Sequence, residues 1–132
     1  METVIDGLCY IGDPCYVFSH DEWDEIMEKT NVFGYGRNKK INFNGTFTMY
    51  GDKCAVSSTA YGDGEYQVKV NGVRVTTIGV DSGSIGIIPL TAISRDKLED
   101  AVRLGFIIDQ GFIPVEAENG VFRFGKVTID TR

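Results

Sequence analysis

Apolar and polar residues alternate along most of this chain, and the period lengthens to that of a helix twice. Residues 8–18 form an extended apolar segment interrupted at Gly12-Asp13-Pro14. Pro14 has no N–H to give to a central ladder, so a turn, a bulge or a strand end is expected there. Ser19 and Glu22 have the spacing of a capping box, with Phe18 and Trp23 at the positions of a hydrophobic staple. Trp23, Ile26 and Met27 then supply the buried stripe of a helix. Beyond it, Ile41, Phe43, Phe47 and Met49 alternate with Asn42, Asn44, Thr46 and Thr48, with a kink expected at Gly45.

A turn is expected at Gly51-Asp52, leading into a strand over 53–61, and another at Gly62-Asp63-Gly64. Strands over 65–70 and 73–80 flank Asn71-Gly72, the strongest short hairpin signal in the chain. In a two-residue hairpin there, Val70 faces Val73, Lys69 faces Arg74 and Val68 faces Val75. Asp81-Ser82-Gly83 turns into the apolar run 85–90. A second helix is expected from Ser94, stapled by Ile93 and Leu98, with Leu98, Ala101 and Val102 as its stripe and Gly105 at its end. A short strand over 106–108 and a last hairpin through Asn119-Gly120, with Glu116 opposite Arg123, complete the pattern. Strands joined by tight turns are antiparallel, since a parallel pair needs a long crossover. The expectation is an α+β domain over 1–132: a strongly curved antiparallel sheet or partly closed barrel with two helices.

Composition narrows the classes. At 132 residues and 42% hydrophobic the chain makes one domain with a core. It has no apolar run long enough to span a membrane and no basic, apolar leader at its start. The reading is a cytoplasmic protein. Three cysteines, an odd number, and one histidine favour reduced thiols over disulfides or a zinc site. A net charge of −6 argues against duplex nucleic acid as a partner. Much of that charge is local. Asp21, Glu22, Asp24, Glu25 and Glu28 against Lys29 leave the first helix at −4, so the rest of the chain carries only −2. An anionic ligand elsewhere is therefore compatible with the acidity. No cofactor motif is present, and homo-oligomerisation is left open.

Three groups of residues could carry chemistry. Cys15 follows Gly12-Asp13-Pro14, but Asp13 disfavours a thiolate and the only imidazole, His20, adjoins an acidic helix. Packing is the favoured role for Cys15, as for Cys9 and Cys54, and no catalytic residue is assigned. The second group is the acidic turns, with Asp13, Asp63, Asp81 and Ser82. Asp beside Gly is ordinary turn chemistry, yet converging carboxylates could hold a divalent cation or act as an acid/base pair.

The third group is the segment 32–44, which carries Arg37, Lys39 and Lys40 and no acid. Gly34 and Gly36 permit close backbone approach to a phosphate, and Tyr35 offers a stacking face. Tyr16 and Tyr61 add aromatic surface. The Lys69–Arg74 pair puts like charges opposite one another, which costs up to about 1 kcal/mol unless something screens it.

The motifs Gly12-Asp13-Pro14-Cys15-Tyr16-Val17, Thr59-Ala60-Tyr61-Gly62-Asp63-Gly64 and Val80-Asp81-Ser82-Gly83-Ser84-Ile85-Gly86-Ile87-Ile88-Pro89 resemble, in this order, a family of small phage and prophage proteins. The resemblance spans roughly 8–90. It implies a phage or bacterial cytoplasmic origin. Small phage proteins of this size are often similar to counter-defence factors, some of which sequester nucleotide signals. The leading functional reading is a binding protein that holds a small anionic ligand, of nucleotide type, without catalysis. The alternatives are a small metal-dependent hydrolase using the clustered aspartates and a protein–protein inhibitor acting through its acidic helix.

Overall fold

The strand β1 (Thr3–Gly12) lies in the middle of the sheet, and its neighbours set the architecture. The structure is a computed structural model that describes residues 3–30, 45–118 and 120–132. After β1 come a 3-10 turn at Pro14–Tyr16 and the helix α1 (His20–Thr30). Then follow β2 (Gly45–Met49), β3 (Asp52–Ser58), β4 (Gly64–Val70), β5 (Val73–Val80) and β6 (Ser84–Pro89). Two further 3-10 turns precede α2 (Leu98–Leu104), and β7 (Phe106–Glu118), β8 (Val121–Phe124) and β9 (Val127–Asp130) end the chain.

The sheet order is β2-β3-β6-β1-β7-β8-β9-β4-β5, with every pair antiparallel. The α+β class and the antiparallel sheet match the sequence expectation. Among the described residues β2 and β5 are edges that do not pair with each other, so the sheet is curved and open and not a closed barrel. The bend has a local cause. The β1–β7 register slips between Asp6 and Gly7, and Gly7 takes φ +100°, a conformation a side chain would resist.

The two halves of the sheet fold over one core. Cys9, Ile11, Ala55, Ile85 and Ile87 from one half cluster with Val68, Ile78, Phe122, Phe124 and Ile129 from the other. The opposite face of the first half buries Tyr10, Cys54, Val56 and Ile88 against the helices, through Trp23, Ile26 and Ala101. Layers on both faces leave all of β6 buried, which is why it reads as a continuous apolar run.

Local signals are recovered at α1. The Ser19 N–H donates to Glu22 Oε1 at 2.8 Å and the Glu22 N–H to Ser19 Oγ at 3.2 Å, a reciprocal capping box. Elsewhere the structure corrects the expectation. The β2–β3 turn sits at Tyr50-Gly51, both at positive φ, one residue earlier than Gly51-Asp52. Val102 is 66% exposed, because the seven-residue α2 buries only Ala101 fully. The strand expected over 106–108 runs on to Glu118, since β1 and β8 give it partners along its length. Gly125, at φ +59°, makes a further turn between β8 and β9.

Candidate functional site

Asp13 follows directly on β1, and its carboxylate is fully buried. It accepts four hydrogen bonds. Oδ1 receives the Cys15 N–H at 2.9 Å and the Ser82 hydroxyl at 2.7 Å. Oδ2 receives the N–H groups of Asp81 at 2.6 Å and Ser82 at 2.7 Å. The first of these bonds starts the turn at Pro14–Tyr16, and the other three fasten the β5–β6 turn to it. The Ser82 hydroxyl also lies 2.8 Å from that of Ser84, and the Tyr10 hydroxyl donates to the Asp13 carbonyl at 2.7 Å.

The third acidic turn joins the same network. The Thr59 N–H donates to the Gly83 carbonyl at 2.9 Å, and the hydroxyls of Thr59 and Tyr66 donate to the Gly62 carbonyl at 2.6 and 2.8 Å. The turns bearing Asp13, Asp63 and Asp81 thus converge, but their carboxylates do not. Asp13 spends its acceptor sites on protein donors. Asp81 takes the Tyr16 hydroxyl at 2.6 Å, and Asp63 is exposed. Among the described residues no three His, Cys, Asp or Glu side chains gather as a metal ion needs. Asp13 and Ser82 act here as a clamp between turns, and Tyr16 as a brace to Asp81.

Cys15 is half-buried. Burial first, then the Asp13 hydrogen bond and the charges of Asp13 and Asp81, push its thiol up to about 12. The His20 imidazole pairs instead with Asp24 at 3.4 Å, on the exposed face of α1. Cys54 is likewise pushed up to about 12, by burial and then Asp52. Cys15 thus carries far less thiolate at neutral pH than an ordinary exposed thiol. Labelling of native protein with a disulfide reagent at pH 8 is therefore expected to be slow at Cys15 until denaturant is added. Cys15→Ser is expected to shift stability by about 1 kcal/mol or less. Rapid native labelling at Cys15 would contradict the first expectation, and a loss well above about 1 kcal/mol on urea unfolding of Cys15→Ser the second.

On the other half of the sheet, Lys69 and Arg74 face each other across the β4–β5 hairpin, as do Val70 and Val73. Val68 pairs with Thr76 and not Val75, because a bulge intervenes. Beside Lys69 lies a groove of about 280 Å³ lined by Tyr61, Glu65, Tyr66, Gln67, Lys69, Asp130, Thr131 and Arg132. Arg132 grips Asp130 through Nε at 3.0 Å and Nη2 at 2.8 Å. Those bonds foremost, with the Lys69 charge adding, hold the Asp130 carboxyl down at about 2. Tyr61, 76% exposed, projects at the rim.

Of the sequence candidates, the structure brings Tyr61 and Lys69 into one groove, with Arg74 opposite Lys69, and places Tyr16, Asp13, Asp81 and Ser82 in the turn clamp. Arg37, Lys39, Lys40, Gly34, Gly36 and Tyr35 lie outside the described residues. Tyr66, Asp130 and Arg132 escape a reading from sequence. The one signal for the last two is their i, i+2 spacing in extended chain, which puts both on one face. No helix among the described residues is long and apolar enough to cross a membrane. Comparison with protein-family models, with curated proteins and with solved structures finds no match to this chain.

Proposed function

We propose that the protein is a binding module that holds a small anionic ligand at the β4–β9 groove without converting it. The observation that carries this reading is the Lys69–Arg74 register pair at the edge of a groove with an exposed tyrosine ring. Two cations held opposite each other repel, and a bound phosphate relieves that better than water does. Arg132 strengthens the site. A guanidinium has five N–H donors, and Asp130 takes one from Nε and one from Nη2, which leaves the Nη1 pair and one Nη2 N–H for a ligand oxygen. Tyr61 offers a face on which a base can stack. The groove also holds Glu65 and Asp130, so a ligand must place its charge toward Lys69 and Arg74.

The filled acceptor sites of Asp13 weigh against the hydrolase alternative, and the raised Cys15 thiol weighs against nucleophilic catalysis. The resemblance to phage proteins suggests the biological form of the reading, a sponge for a nucleotide-type signal.

Isothermal titration with adenosine 5′-monophosphate and with inorganic phosphate, at low and high salt, tests it. Binding is expected at low salt and weaker at high salt, because the cations are exposed. Lys69→Ala is expected to weaken it by about 1.5–3 kcal/mol, the range for hydrogen bonds to charged groups. A loss of that size in Arg37→Ala, with Lys69→Ala unchanged, would move the site to the basic segment 32–44. No heat with either probe would sink the reading for this ligand class.

A further inference from the structure

The strand β5 ends the sheet, and no described strand covers its outer side. Its outward main-chain N–H and C=O groups are a template for one more strand. Proteins commonly blunt such edges with proline, lysine or a bulge. This one has the bulge near Val75, yet it leaves Val73 65% and Val75 51% exposed, on either side of Arg74.

The registers line up a single row across the solvent face: Glu116, Arg123, Thr128, Lys69 and Arg74, on β7, β8, β9, β4 and β5 in turn. Residues directly opposite one another share a face, so each interacts with its neighbours in the row. Arg123 has its acid, Glu116, at 3.3 Å, and Lys69 shares the groove with Asp130. Arg74 has only the Thr77 hydroxyl, at 3.1 Å, and pairs with no carboxylate among the described residues. The next place in the row lies beyond the edge of the sheet.

From this we infer that β5 receives an extended segment of a partner protein, which adds as a further strand with an Asp or Glu opposite Arg74 and β-branched residues beside Val73 and Val75. Main-chain bonds supply affinity in such additions, and side chains at alternate positions supply specificity. A second copy of this chain fits the edge poorly, because Val73–Val80 contains no acid and a β5–β5 pair brings in another Arg74. The net charge of −6 repels an acid-rich segment as a whole. One carboxylate in register therefore serves better than a run of them. The inference uses the outer side of β5, which is not part of the groove lining, and shares only Arg74 with the proposed anion site.

The test uses isotope-labelled protein and two synthetic peptides, Thr-Val-Glu-Val-Thr-Val and Thr-Val-Lys-Val-Thr-Val, with amide hydrogen exchange over 73–77 as the readout. The Glu peptide is expected to slow these amides about tenfold when present at about ten times its dissociation constant. The Lys peptide is expected to leave them unchanged, and Arg74→Glu to reverse the preference. Retained protection at Val68 and Ile78, both buried, shows that the variant is folded. Equal protection by both peptides, or none by either, overturns the inference. Protection that grows with protein concentration alone also overturns it, in favour of a second copy.

Discussion

Replacing Asp13 by alanine is expected to destabilise the protein by about 3–5 kcal/mol, because three main-chain N–H groups and a hydroxyl lose their acceptor together. Ser82 can turn its hydroxyl to Ser84, 2.8 Å away, which recovers part of the loss. The N–H groups of Cys15, Asp81 and Ser82 have no such alternative. Each costs about 1–3 kcal/mol if left dry, and water reaching this part-buried site brings the sum below simple addition. Against a typical stability of about 5–15 kcal/mol this is a large fraction.

Asp13→Asn is expected to cost less. Its amide oxygen still serves Asp81 and Ser82, and its NH2 can donate to the Ser82 oxygen, so only the Cys15 N–H is stranded. Urea unfolding of both variants measures the effect, and hydrogen exchange at Thr59 and Ser82 locates it. A loss under about 1 kcal/mol in Asp13→Ala would mean that the turns hold without the clamp. A stable Asp13→Asn protein that no longer acts on a substrate would return Asp13 to chemistry.

Trp23→Ala is expected to cost a similar amount, about 3–5 kcal/mol, by a different mechanism. Trp23 is 7% exposed and lies in the cluster that joins α1 to the sheet, with Phe18, Ile26, Phe47 and Ile88. A tryptophan buries about 150–250 Å² of surface, and truncation to Ala also leaves a cavity that the helix can only partly fill. The effect should extend to the capping box. Phe18 and Trp23 are the staple around Ser19, so the first turn of α1 loses its apolar anchor while keeping the Ser19–Glu22 bonds. Trp23 is the sole tryptophan, so unfolding must be followed by circular dichroism and not by fluorescence. Trp23→Phe retains most of the apolar surface and should lose much less. An Ala variant within about 1 kcal/mol of the parent would show that α1 is held from elsewhere.

What could be read directly from the residues was short in range. Ser19 and Glu22 are three apart, Asn71-Gly72 closes a two-residue hairpin, and Glu116 stands opposite Arg123 across β7 and β8, as the spacing predicts. In each case the chemistry of a few neighbouring residues decides the geometry, and the period of two or nearly four decides the face. The Lys69–Arg74 pair was legible for the same reason. The Val68 partner one step further was not, because a bulge shifts the register between Val68 and Lys69.

Tertiary structure alone decided the rest. The sequence pattern supports only a short strand over 106–108, yet β7 runs from Phe106 to Glu118 because β1 and β8 pair along it. Asp13 is an ordinary turn aspartate by sequence, and only folding brings it to Ser82, 69 residues later, where burial turns its carboxylate into a clamp. The groove joins Tyr61 and Lys69 to Asp130 and Arg132, at the far end of the chain. Contacts of this kind leave no periodic trace. They form only once a long loop has closed and apolar burial has offset its entropy, which is a property of the whole sheet and not of any segment within it.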